Sequence, residues 1–393
     1  MNWNTLAVTA GRDALRQGGA VSPPVDRAAT RIFADLDAIE EAHASGKLSA
    51  FLGSRTPDQT ADAIALLEGS DCEAIITSSG MSALTATFLA TLSAGDHLLL
   101  PDSVFGPTRD VASGLLARLG IESSYYHPLA SEESFRTGLR PNTKLVLTES
   151  PGSNTFEIQD IPMIVGASHA AGALVAIDNS WATPILFRPL AFGVDISVCA
   201  ATKYLAGHSD TILGTVAARP ELAAKLRTTL RQMGDTPGPD DAWLLARGLR
   251  TLPLRMRQHD ASARIVAEAL RQFPQVRQVL HPAFADVPGH DNWKRDFYGA
   301  SGLFGVLLDP MDRNQISAFL GKLDLFQLGF SWGGFESLVL PISLGTSRKI
   351  LGQPEGTLLR LHVGLEDPED LISDLQRAFA IFQSKSPELE RVT

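Results

Sequence analysis

Between residues 58 and 217, short β-branched runs alternate with Ala/Leu-rich helical stretches. This alternation restricts the chain to α/β architectures with a mainly parallel sheet. Residues 74–77, 97–100, 144–148, 173–177, 194–199 and 212–217 read as strands, and residues 61–68, 81–92, 108–119 and 163–171 as the helices between them. In such folds, sites gather beyond the carboxyl ends of the strands. After about residue 248 the texture changes to a long helix over 257–273, strands over 302–308, 325–328 and 358–363, and a closing helix over 368–384. That is the pattern of a smaller α+β domain. The expected units are an N-terminal arm over 1–57, an α/β domain over 58–248 and an α+β domain over 249–393. The arm holds a Gly/Pro-rich loop at 18–24 and an acidic helix at 32–43, and it is expected to pack on another subunit.

At 393 residues, with 44% hydrophobic and 20% charged side chains, the chain can bury a large core. A formal charge of -10 argues against nucleic acid or an anionic membrane as partner. No apolar run reaches the roughly 18 residues of a membrane helix, and residues 1–20 lack the pattern of a signal peptide. Cys72 and Cys199 are the two cysteines and lie far apart, so free thiols in a reducing, cytoplasmic compartment are expected.

Four segments carry chemistry. Lys203 follows the apolar run 194–199 and is bounded by Thr202 and a Gly-containing loop. By residue type alone, a lysine after a strand is a solvated strand end. At the edge of a core, desolvation lowers its pKa and frees its amine to attack a carbonyl. Thr77-Ser78-Ser79-Gly80-Met81-Ser82 lies between a strand and a helix, where backbone amides and the helix start suit a phosphate; a plain helix cap reads the same way. Asp178 ends an apolar strand, where a carboxylate can keep a heterocyclic nitrogen protonated; Asn179 or Ser180 could equally cap a turn. Arg360 is set among leucines. It must meet an internal acid or hold a substrate carboxylate in a bidentate fork. An amine, a phosphate seat, a buried carboxylate and a carboxylate clamp together are what pyridoxal 5'-phosphate chemistry on an amino acid needs.

The chain resembles the Cys/Met-metabolism enzymes that use pyridoxal phosphate, over nearly its whole length. The resemblance rests on Ser78-Ser79-Gly80-Met81, Glu149-Ser150-Pro151-Gly152-Ser153, Asp178-Asn179-Ser180-Trp181, the run from Ala201 through Lys203 to Asp210, Gly248-Leu249-Arg250-Thr251-Leu252, Ser331-Trp332-Gly333-Gly334 and Arg360-Leu361-His362-Val363. The Trp after Asp-Asn-Ser and the Ser-Trp-Gly-Gly run are similar to the cystathionine β-lyase branch rather than to γ-synthases. The resemblance implies a type I pyridoxal-phosphate fold and a homotetramer of two tight dimers with shared sites. It implies that Lys203 carries the cofactor and moves protons, and that Asp178 pairs with the pyridine nitrogen. Ser79, Gly80, Met81 and Thr202 would hold the phosphate, and Arg360 with Ser331 and Trp332 the substrate α-carboxylate.

Two departures stand out. Where the family has a tyrosine stacked on the cofactor, this chain has Phe105, which keeps the aromatic face and loses the hydroxyl. Where the family sends a Tyr-x-Arg motif to the neighbouring phosphate, residues 48–57 contain Phe51 and Arg55 but no tyrosine. Arg55 is the candidate replacement cation. Three functions remain: a carbon–sulfur β-lyase acting on L-cystathionine or another cysteine S-conjugate; a relative with changed chemistry, such as γ-elimination, replacement or racemisation; or a catalytically silent cofactor-binding relative.

Overall fold

The protein is described from a computed structural model covering residues 2–44, 54–69, 71–345 and 348–383. Seven strands form the larger sheet: β1 (Glu73–Thr77), β2 (His97–Pro101), β3 (Glu122–Tyr126), β4 (Thr143–Glu149), β5 (Leu174–Asp178), β6 (Ile196–Cys199) and β7 (Gly214–Ala218). Their spatial order is β1-β7-β6-β5-β4-β2-β3. Strands β3, β2, β4, β5 and β6 run parallel, whereas β7 pairs antiparallel with both β6 and β1. Every residue of β2, β6 and β7 is buried, because helices cover both faces of the sheet. The Gly80–Thr91 and Pro220–Met233 helices close one face through Leu84, Phe88, Leu226 and Leu230. The Arg55–Glu68 and Ile161–Ala170 helices close the other through Ile64, Leu67, Ile161 and Ile164.

The smaller sheet contains β8 (Val276–Leu280), β9 (Leu303–Leu308), β10 (Gln327–Leu328), β11 (Leu338–Ile342) and β12 (Thr357–His362), in the order β10-β11-β12-β9-β8. Its apolar face packs on the Leu252–Leu270 and Pro368–Gln383 helices through Val266, Leu270, Phe304, Leu361, Leu375 and Phe379. The α/β architecture with a smaller second sheet agrees with the expected fold class. Among the described residues, no helix is long and apolar enough to cross a membrane. Both cysteines are free thiols.

Several elements depart from the sequence reading. Strand β3 was not expected, because Glu122-Ser123-Ser124-Tyr125-Tyr126 at the sheet edge has one fully buried residue and no apolar run. The expected strand over 325–328 shrinks to the two residues of β10, both exposed. The arm, expected to lie on another subunit, docks in part on its own chain. Arg250 Nη1 donates to the carbonyls of Ala7 (3.0 Å) and Ala10 (2.6 Å), and Trp243 Nε1 donates to Pro23 O at 2.9 Å. The reason is local: the Trp3–Thr9 helix ends in unpaired carbonyls, and Arg250 supplies their donor. Phe51, singled out above, lies outside the described residues.

Candidate active site

Three parallel strands end side by side, and each delivers a polar group to one cleft. Glu149 ends β4 and is in register with Asp178 at the end of β5. Strand β6 follows and leads through Ala200 into Lys203. Ser180 ties two of these ends together: its N–H donates to Asp178 Oδ1 at 3.0 Å, and its Oγ accepts from the Ala200 N–H at 2.6 Å. The cleft, open mouth included, is about 680 Å³, within the range of small-molecule sites.

The two acids hold their protons more tightly than ordinary carboxyls. Burial raises the Glu149 pKa well above the usual range, and the neighbouring Asp178 raises it further. Burial also raises Asp178, against the opposing pull of Ser180 and Lys203. Lys203 moves the other way. Burial and the Arg360 charge lower its pKa to about 8, partly offset by Asp178. Its Nζ donates to Ser331 Oγ at 2.8 Å and stands 5.1 Å from the Trp332 ring centre.

The turn carrying Lys203 is held by a buried cation. Arg255 donates to the carbonyls of Tyr204 (2.7 Å), Leu205 (3.3 Å) and Gly248 (2.9 Å). From the other side, residues 331–337 fold over it. Gly333 has φ 86°, and a Cβ there would stand 2.7 Å from the Tyr204 nitrogen, so only glycine lets the loop come this close. The Gly333 N–H donates to His362 Nε2 at 3.1 Å, and Ser209 Oγ donates to Glu336 Oε1 at 2.6 Å. Burial lowers the His362 pKa, and its Nε2 stands between the Gly333 N–H and the Gly334 carbonyl, 3.2 Å from the latter.

Arg360 lies in mid-β12, and burial lowers its pKa to about 10. Of the two alternatives for it, an internal acid is not what it touches: Nη2 donates to the Phe330 and Ser331 carbonyls. Its guanidinium lines the same cleft as Lys203, Asp178, Glu149, Phe105 and Trp332.

The start of the Gly80–Thr91 helix approaches the cleft from behind. Ser79 Oγ caps it by accepting from Ser82 N–H at 3.1 Å. Gly80 abuts Ala200 so tightly that an added Cβ would stand 2.7 Å from the Ala200 Cβ. The Gly80 and Met81 N–H groups are at the first two helical positions, where no intrahelical acceptor exists. Asp235 accepts from Ser78 N–H at 3.0 Å, from Ser78 Oγ at 2.7 Å and from Ser82 Oγ, so one side of this helix start already receives a carboxylate. The Thr202 hydroxyl is engaged with Leu213, donating to its O at 3.1 Å and accepting from its N–H at 3.0 Å, with one lone pair left over. Arg55 is not brought to this cleft by its own chain. It opens the Arg55–Glu68 helix with its backbone N–H on Asp26 at 3.3 Å, next to Ser54 and Pro57, which line a separate cleft with Arg227 and Asp235.

Glu149 was quoted above only as part of a motif. The signal that could have found it is the one that marked Asp178, an acid ending an apolar strand. Its Oε2 accepts the Phe105 N–H at 2.7 Å and so fixes the segment that carries the aromatic face. Asn154 (φ 68°) and Phe156 (φ 61°) also line the cleft in left-handed backbone conformations. A buried Arg348–Glu157 ion pair at 3.1 Å and an Arg348 bond to the Ser153 carbonyl at 3.2 Å brace them there.

These groups fit pyridoxal phosphate. The amine of Lys203 is partly deprotonated near neutrality, a carboxyl lies deep in the cleft, and a helix start with two open N–H groups stands one residue behind the wall.

Comparison with known proteins gives the same direction. The sequence profile of the Cys/Met metabolism PLP-dependent enzymes matches residues 4–380. A putative cystathionine beta-lyase of Rhizobium johnstonii is 45% identical over 96% of both chains. The cystathionine beta-lyase of Escherichia coli is 40% identical over 96% of this chain and 98% of its own. A protein of Wolbachia pipientis named L-alanine/L-glutamate racemase is 37% identical over 97% of both. The crystal structure of cystathionine gamma synthase from Xanthomonas oryzae pv. oryzae, in complex with aminoacrylate and cysteine, superposes with a TM-score of 0.90 at 32% identity, covering 98% of this chain and 99% of that one. With the profile spanning almost its full length, the chain belongs to the Cys/Met-metabolism PLP-dependent enzymes.

Proposed function

We propose that this enzyme is a carbon–sulfur β-lyase that takes L-cystathionine or a related L-cysteine S-conjugate and water to pyruvate, ammonia and a thiol. The observation that carries this reading is the Lys203 Nζ–Ser331 Oγ contact of 2.8 Å, with Arg360 in the same cleft. A base for the Cα proton and a clamp for the α-carboxylate then stand in one cleft.

Bound pyridoxal phosphate supplies an electron sink for the charge left at Cα. In this reading Arg360 holds the α-carboxylate, and Ser331 and Trp332 orient it and the Lys203 amine. Lys203, with its lowered proton affinity, takes the Cα proton as general base. Asp178 would pair with the pyridine nitrogen, the Gly80 and Met81 N–H groups with Ser79 and Thr202 would hold the phosphate, and Phe105 would supply an aromatic face. β-Elimination asks for one proton at Cα and a stable thiolate leaving group, so a side chain without a hydroxyl at position 105 suffices. γ-Chemistry also removes a Cβ proton, for which Phe105 offers no group. A homotetramer with Arg55 reaching the neighbour's phosphate belongs to the same proposal.

Racemisation is the second reading, favoured by the Wolbachia relative's name. Incubation of the holoenzyme with L-cystathionine and with L-alanine in deuterium oxide separates the two. Pyruvate from the first and retained chirality of the second are expected. D-alanine without pyruvate would replace the lyase reading.

A further inference from the structure

The turn that follows β4 presents Asn154 and Phe156 to the cleft with φ of 68° and 61°. Asparagine enters this left-handed region at small cost, whereas a bulky phenylalanine there is an outlier that its surroundings must enforce. Inside the turn, the Gly152 N–H donates to the Glu157 carbonyl at 2.9 Å, and the Phe156 N–H to the Gly152 carbonyl at 3.0 Å. A second hold comes from far along the chain. One guanidinium, that of Arg348, donates to Glu157 Oε1 at 3.1 Å, to the Ser153 carbonyl at 3.2 Å and to the Thr155 hydroxyl. Its side chain is 6% exposed and that of Glu157 11%, so the pair is closed off within the one chain. Arg348 lies between β11 and β12, and β12 carries Arg360. The residues after it reach another part of the wall: the N–H groups of residues 349–351 donate to Asp102, at the root of the Phe105 segment. The stretch leading into the clamp strand therefore also grips the cleft wall.

We propose that Arg348 is a positioning residue: by holding the Asn154–Phe156 turn in its strained form, it fixes that wall relative to Arg360 and sets the affinity for the amino-acid substrate. The proposal rests on reading the cleft as the amino-acid site and is the same for elimination and racemisation. Affinity rather than rate is at stake, because Lys203 and Asp178 sit on other strand ends. Those ends are tied together through Ser180 and Ala200, in hydrogen bonds that do not involve Arg348. A planar guanidinium forks to three acceptors in fixed directions, which neither an ammonium nor an apolar side chain reproduces.

The test compares wild type, Arg348→Lys, Arg348→Met and the double variant Arg348→Met with Glu157→Leu, all as holoenzymes. Calorimetric titration with L-2-aminobutyrate, which has no leaving group at Cβ, gives Kd, and pyruvate release from S-ethyl-L-cysteine gives KM and kcat. In Arg348→Met, Kd and KM should rise about tenfold while kcat stays within about threefold, the mark of lost uniform binding. The visible absorbance maximum of the bound cofactor should not move, since the floor of the cleft is untouched. Arg348→Met leaves the Glu157 charge buried and unpaired, so its unfolding midpoint should fall, and the double variant, which removes that charge, should regain it. Kd should stay raised in the double variant, because methionine and leucine cannot hold the Ser153 carbonyl and the Thr155 hydroxyl. Arg348→Lys keeps a charge at Glu157 and disturbs folding least; its Kd should rise about threefold through loss of the fork. A Kd that follows the unfolding midpoint and recovers in the double variant would overturn the proposal and make Arg348 a structural brace. An unchanged Kd, or a loss confined to kcat, would overturn it too. A wild-type holoenzyme that binds no L-2-aminobutyrate would remove the reading of the cleft as an amino-acid site, and the proposal with it.

Discussion

Two buried carboxylates on either side of the Phe105 segment have opposite fates. The Asp102 side chain is fully buried and accepts the N–H groups of Lys349 (2.9 Å), Ile350 (2.7 Å) and Leu351 (2.8 Å), and Arg109 Nη2 at 3.1 Å. Burial pushes its pKa up, but those donors outweigh burial and hold it below the ordinary value. Glu149 is also deep, but it receives the Phe105 N–H and the Ser153 hydroxyl and faces another acid, so its pKa goes up. Saturation with donors makes a charge a structural staple that pins residues 349–351 to the start of the Phe105 segment. A buried acid set beside another acid holds its proton more tightly and lies in the cleft.

The strongest way to break the contrast is on the functional side. Lys203→Ala removes the base and should lower kcat/KM for the best cysteine conjugate by about 10⁴-fold or more. Urea unfolding of the cofactor-free protein should move by no more than about 1 kcal/mol. On the structural side, Asp102→Ala strands a buried guanidinium and three N–H groups, and should cost about 3–5 kcal/mol in urea unfolding. Its kcat/KM, measured where the variant is still folded, should fall less than that of Lys203→Ala.

The smallest effect sharpens the comparison through pH. The folded Asp102 pKa is depressed, so its contribution is fully present above the unfolded carboxyl value of about 4 and is lost as pH falls through the folded value. The folded Glu149 pKa is raised, so stability falls as pH rises from the unfolded value towards the folded one. Asp102→Asn should therefore flatten the acid limb of the stability profile, and Glu149→Gln should lift the neutral-to-alkaline limb. Urea midpoints from pH 3 to pH 9 check both, and a lift from Asp102→Asn on the alkaline side would sink the contrast.

Much of the cleft was legible because strand ends are local features. An apolar run followed by Asp178 or Lys203 puts that side chain at the edge of a sheet wherever the sheet lies. The Ser79-Gly80-Met81 turn was legible for the same reason: its cap and open N–H groups involve neighbours in sequence. Strand β3 was not, since its polar edge carries no hydrophobic period. Nor was the raised pKa of Glu149, which comes first from burial and then from Asp178, a strand away. Asp235 at the helix start, 157 residues beyond Ser78, gave no local sign.

The amino-acid order by itself determined the alternating α/β layout, the amine and acid at strand ends, and the family. Tertiary structure alone decided that β12 and the 331–337 loop bring Arg360 and Ser331 onto Lys203 across a separation of 128 residues for the Ser331 contact. It alone decided that Glu149 stands beside Asp178, while Asp102 meets the N–H groups of residues 349–351 and the Arg109 guanidinium. The physical reason is one of range. Strand and cap preferences are set within a few residues, whereas desolvation and Coulomb energies depend on whatever the fold brings alongside.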